Sequence, residues 1–115
     1  MTLIERLEKA TGPDRELNAD IAEAIGVTVI RMPLSGPHDG NGAMIADYSD
    51  SIDAALTLVP DGWGRKCEFG PGFNNSVTVG HVGADGLYDK PEQWASHESE
   101  AIALCIAALK ARGME

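Results

Sequence analysis

The chain has 115 residues, with 18 acidic and 9 basic side chains and a formal charge of −9. That length suits a single domain over residues 1–115, and 43 % apolar residues exclude a disordered polar chain. The acidic balance excludes broad binding along nucleic-acid phosphates, which needs clustered Lys and Arg, but leaves room for a small anionic ligand in one local basic pocket.

In chain order, Leu3, Ile4 and Leu7 share one face and predict a first helix from about Leu3 to Ala10. Thr11-Gly12-Pro13 ends it and opens the next, with Pro13 in the first turn. Asp14 to Ile25 then carries Leu17, Ile21, Ala24 and Ile25 as an amphipathic stripe, stopped by Gly26. The β-branched run Val27–Met32 predicts a strand, closed by Pro33. Gly36–Gly42 reads as a loop and Ala43–Tyr48 as a short strand. Ser49 or Asp50 is the expected cap of a third helix running to Leu58, which Pro60-Asp61-Gly62 breaks. Trp63–Phe69 and Ser76–Val82 predict two antiparallel strands around a Gly70–Asn75 turn, followed by a loop over Gly83–Pro91. Ser96 is the expected cap of the last helix. Its stripe of Ala101, Leu104, Cys105, Ala108 and Leu109, widened by Ile102 and Ile106, calls for packing on a sheet.

These elements predict an α+β fold: a small, mainly antiparallel sheet with helices packed on it, in three layers. No apolar run approaches the ~20 residues needed to cross a bilayer, so no membrane association is expected. Met1–Lys9 lacks the basic-then-apolar order of a secretory leader. Cys67 and Cys105 form no CxxC pair, and Cys105 among Leu104, Ile106 and Ala107 reads as a buried thiol. A reducing cytoplasm is the expected compartment.

No catalytic pattern stands out. His38, His81 and His97 have no HxH, HExxH or Cys/His spacing, so neither a metal nor another cofactor is expected. His38 reads as a loop residue, His81 as partly buried and His97 as solvated. Ser35 lacks a nucleophile elbow. Cys67, beside Arg65 and Lys66, reads as structural rather than as an activated thiol. Gly36–Gly42 lacks the Lys-Ser/Thr end of a P-loop. The acids are spread over solvated helix faces and interrupted by Lys and Arg, which argues against DNA mimicry. Arg31, Arg65 and Lys66 stand apart from the helical charge pattern, and Tyr48, Trp63 and Trp94 offer ring faces on which a base can stack. Arg31, Tyr48, Trp63, Arg65 and Lys66 are therefore the candidate ligand-binding residues.

The run Ser51-Ile52-Asp53-Ala54-Ala55-Leu56-Thr57-Leu58-Val59-Pro60-Asp61-Gly62-Trp63 is distinctive, as is its combination with Ala101–Arg112 and the opening Leu3–Thr11 and Arg15–Gly26 segments. In this order they resemble the phage ABA sandwich domain, a family of small bacteriophage and prophage proteins, over about two-thirds of the chain. The resemblance implies an α/β/α sandwich and life in the host bacterial cytoplasm, and it transfers no catalytic residue. The expected function is non-enzymatic counter-defence, sequestering a host immune signalling nucleotide. The alternative is a protein–protein interaction module or inhibitor that docks on a host protein through an acidic surface. Under the nucleotide reading a homo-oligomer is expected, since a subunit interface supplies a deep pocket that 115 residues rarely build alone.

Overall fold

The computed structural model describes residues 2–32, 36–60, 62–69, 75–81 and 93–113. Two side-chain caps start the chain. Thr2 Oγ1 accepts the Glu5 N–H at 3.2 Å and opens α1, Leu3–Lys9. Asp14 Oδ1 accepts the N–H groups of Glu16 and Leu17, at 2.8 and 3.1 Å, and opens α2, Arg15–Ala24. Pro13 therefore precedes the cap instead of entering the first turn. Gly26, at φ +96°, turns the chain out of α2 as its lack of a Cβ allows.

Strand β1, Val29–Met32, pairs antiparallel with β2, Gly36–Asp39, in the register Val29↔Asp39, Ile30↔His38, Arg31↔Pro37 and Met32↔Gly36. The expected Gly36–Gly42 loop is thus half strand. The turn is made by Asp39, whose Oδ1 accepts the Asn41 and Ala43 N–H groups at 2.8 and 2.9 Å, with Gly42 at φ +86°. Ala43–Tyr48 is not a strand. It makes one antiparallel bridge, Met44↔His38, and then bends through Asp47, whose carbonyl accepts the Ser51 N–H.

Ser51, not Ser49 or Asp50, caps α3, Ile52–Leu56; its Oγ accepts the Ala54 N–H at 3.2 Å. Three further strands form one antiparallel sheet in the order β3-β4-β5: β3 is Trp63–Phe69, β4 is Asn75–His81 and β5 is Gln93–His97. Most of the expected Gly70–Asn75 turn and the Gly83–Pro91 loop lie outside the described residues. Ser99 caps α4, Glu100–Ala111, with Oγ 3.3 Å from the Ile102 N–H. Ser96 belongs to β5 instead, because the ladder of β5 with β4, in which it stands opposite Ser76, holds it extended.

The class is α+β, with small antiparallel sheets and helices packed on them. The centre is α4, where every residue from Ala101 to Leu109 is buried. One side of α4 lies on β4 and β5, meeting Val77, Val79 and Ala95; α1 and α3 pack against the helix as well. Cys105 donates to the Tyr48 carbonyl and Arg112 to that of Leu58, so both point toward the α3 side. Ile106 and Lys110 point toward β5. The β1–β2 hairpin packs on α2. Each fully buried Leu or Ile contributes about 1.5–3 kcal/mol, and α4 supplies Ile102, Leu104, Ile106 and Leu109.

Candidate functional site

The five sequence candidates do not converge. Arg31 leaves β1 on the side facing α2, where its guanidinium meets Glu23 at 2.7 Å, Glu16 at 3.3 Å and Asp20 at 3.4 Å. Hydrogen bonding to Glu23 leads the influences that raise its already high pKa. An incoming anion would have to displace three carboxylates. Glu16, Asp20 and Glu23 recur at the spacing of one helix face, so the acid stripe that receives Arg31 is visible in the sequence.

Tyr48 is buried in the core and offers no open ring face. Burial raises its phenol pKa, and Cys105 reinforces the shift. Trp63 is half-buried against the core on the other sheet, edge-on to His81 with ring centroids 5.8 Å apart. Arg65 and Lys66 stand opposite Val79 and Thr78 in the β3–β4 ladder. Arg31 and Trp63 therefore belong to separate sheets, and Tyr48 to neither.

The histidines read as structural. His97 is not solvated: Nε2 donates to the Ala10 carbonyl at 2.7 Å, and Nδ1 accepts the Ser99 N–H at 2.9 Å. It ties the end of α1 to the start of α4. His38 Nδ1 donates to the Gly36 carbonyl at 2.9 Å. Among the described residues, no group of three His, Cys, Asp or Glu side chains is placed to hold a metal.

Cys105 is fully buried, and its Sγ lies 3.0 Å from the Tyr48 carbonyl. Burial pushes its thiol up to about 12 from the ordinary 9.0. The fold thus holds the neutral thiol. Its contribution to stability is complete below pH 9.0 and is lost as pH rises toward 12. Urea unfolding between these pH values will show that loss, and Cys105→Ala will flatten the part due to the thiol. In the native protein Cys105 will resist alkylation at pH 8, as peptide mapping will show.

No family model, curated protein or solved structure matches the chain.

A different surface emerges from strand alternation. With Val29, Arg31 and Pro37 turned toward α2 and the core, the opposite face of the hairpin presents Ile30, His38 and Met44 as one row. Ile30 is 47 % exposed and Met44 60 %. Thr28 and Gly40 extend this face, since a Cβ on Gly40 would lie 3.9 Å from the Thr28 Cβ. None of these five residues is Asp, Glu, Lys or Arg. Sequence reasoning missed the row because the pairing of β1 with Gly36–Asp39, and the α2 acids that draw Arg31 to the other face, are not visible in the β1 sequence itself. A third large exposed apolar side chain, Trp94, stands on β5 at 62 % exposure. An open cleft of about 480 Å³ lies between α1 and α2, lined by Arg6, Lys9, Thr11, Gly12 and Asp14 among others. No described helix is long and apolar enough to cross a membrane.

Proposed function

We propose that this protein works by binding without turnover, as a protein–protein interaction module that docks on a host protein. The observation that carries the reading is the Ile30–His38–Met44 face: large apolar side chains held outward on the paired strands β1 and β2, in a row without Asp, Glu, Lys or Arg on a chain of −9. Exposed apolar area of this kind mostly serves association. Charge around it favours a partner that surrounds its own apolar spot with Lys and Arg, and this speeds encounter more than it deepens affinity. The resemblance to phage proteins supports a role as a phage or prophage accessory factor acting in the bacterial cytoplasm.

The test pairs wild type with Ile30→Lys/Met44→Lys, two substitutions on an exposed face. Affinity capture from a bacterial lysate, read by quantitative mass spectrometry, should enrich one host protein at least tenfold with wild type. The double variant should lose it while melting within a few degrees of wild type, and the purified pair should weaken as salt rises. Equal capture by both proteins would overturn the reading.

Sequestration of a signalling nucleotide is a second reading, now favoured by the Arg6–Lys9 cleft rather than by Arg31 and Tyr48. Asp14 in the cleft, and the 2.6 Å ion pair of Arg6 with Asp20, oppose an anion there. Native mass spectrometry of gently purified protein decides it and reports any homo-oligomer. A few hundred extra daltons per subunit, reduced by Lys9→Ala, would support it; a bare mass would exclude it.

A further inference from the structure

We infer that the outer edge of β5 binds an extended peptide carrying a lysine or arginine, which adds as a strand beside Trp94 and Ser96. This surface lies on the other sheet from the Ile30–His38–Met44 face and goes beyond the function proposed above.

Hydrogen-bond alternation fixes which groups β5 offers. The Trp63 N–H bonds to the Pro60 carbonyl at 3.1 Å, which places the Trp63↔His81 pair outside the β3–β4 bonding ladder. Bonded and non-bonded pairs alternate along an antiparallel ladder. Lys66↔Thr78 and Glu68↔Ser76 are then bonded pairs, and the main-chain groups of Thr78 and Ser76 point to β3. On the other side of β4, Thr78↔Trp94 and Ser76↔Ser96 are consequently non-bonded. The N–H and C=O groups of Trp94 and Ser96 point away from the sheet, whose order among the described residues ends at β5. A second contact agrees: Lys110 Nζ reaches the Trp94 carbonyl at 3.3 Å from that outer side.

Among the described residues, the space beside this edge is open. Two hollows, of about 260 and 200 Å³, share Glu8 and Ser96 and so form one groove between β5 and α1. Thr11 and His97 line one end; Trp94, Ile106 and Lys110 line the other. Five residues of β5 give an edge of roughly 17 Å, and a peptide laid along it would exchange main-chain hydrogen bonds with Ser96 and Trp94. Its N–H would take the Trp94 carbonyl from Lys110.

Charge selects the occupant. Glu8 lies in both hollows, is exposed, and has no ion-pair partner among the described residues. Trp94 offers an indole face near the same groove, a second attraction for a cation. Lys110 lines only one hollow, whereas Glu8 lies in both and Glu98 in the other, so a Lys or Arg at the centre of the incoming strand meets more negative than positive charge.

The probe is a blocked hexapeptide of alternating valine and threonine with one central lysine, titrated into the labelled full chain and followed by amide NMR. Saturable shifts should appear at Trp94, Ser96 and their neighbours. Replacing the lysine by glutamate, or N-methylating the amides that face β5, should each weaken binding at least tenfold. Glu8→Gln should weaken it several-fold. Ser96→Pro removes one outward N–H, as edge strands tolerate, and should abolish binding. If that variant fails to fold, the N-methylated peptide on wild-type protein decides instead. No saturation at millimolar peptide, shifts confined to other elements, unchanged affinity after N-methylation, or self-pairing of β5 in a dimer would each overturn the inference. Host-protein capture that depends on Ile30 and Met44, in a protein that ignores the peptide, would overturn it and leave the proposed function standing.

Discussion

Leu104→Ala is expected to cost about 3 kcal/mol of folding stability, within the 2–5 kcal/mol seen when a buried leucine is cut back to alanine. Leu104 is fully buried in the middle of α4, between the sheet and the helices on the far side. Leu104 belongs to one core cluster with residues of α1, α2, α3, β4 and β5, and packing shared among so many elements limits collapse into the lost volume. A domain of this size has a total stability of about 5–15 kcal/mol. The variant should therefore unfold roughly 10–15 °C below wild type, at about 4 °C per kcal/mol. Ile30→Ser, on the exposed hairpin face, should shift the melting temperature by only a few degrees. Calorimetry on the two variants checks both. Similar losses at both positions would contradict α4 as the centre of the core.

Asn18→Ala is expected to destabilise the protein by about 3 kcal/mol through a polar mechanism. Asn18 and Ser49 are the buried polar residues of the described chain. Asn18 Oδ1 accepts the Ser49 N–H at 2.8 Å and the Ser49 Oγ–H at 2.7 Å, while Ser49 Oγ accepts the Asp14 N–H at 2.9 Å. This node ties the start of α2 to the bend before α3. Removing the amide strands the buried Ser49 N–H, at about 1–3 kcal/mol for an unsatisfied group, and leaves the Ser49 hydroxyl only its longer 3.2 Å bond to the Asp14 carbonyl. Ser49→Ala should cost less, about 1–2 kcal/mol, because the main-chain bond to Asn18 survives. The double variant should cost at least 1 kcal/mol less than the two single losses together, as members of one network are not additive. Urea denaturation of the four proteins measures the cycle. Simple additivity would mean that the three groups do not act as a unit.

Local patterns foretold most of the elements. Helices α1 and α2 begin and end within a residue or two of expectation, because Thr2, Asp14 and Gly26 act on groups only a few positions away. The β3–β4 pair follows from alternation and nearby turn residues. Errors arose where tertiary pairing chose between locally equivalent options. Ser96 and Ser99 are both good caps, and only the ladder with β4 assigns Ser96 to a strand. Ser49 and Ser51 pose the same choice, which Asn18 settles from 31 residues away by burying Ser49. His97 looks like a surface residue until α1 supplies the Ala10 carbonyl, 87 residues distant in sequence. The placement of the candidate ligand residues was hidden for a related reason. Sequence shows which residue types are available, but not that Arg31 is already answered by acids or that Tyr48 lies in the core.

The position of α4 also bears on how the protein is made. A ribosome delivers residues in order, and α4 emerges after every described element that it packs against. Until then the nascent chain carries strands whose inner residues, Val77, Val79 and Ala95, have no helix to cover them. Vectorial synthesis therefore leaves the core incomplete for most of its course, and the core can close only when residues 100–111 clear the exit tunnel. Chains stalled short of that point present an uncovered apolar sheet and are natural clients for chaperones and proteases.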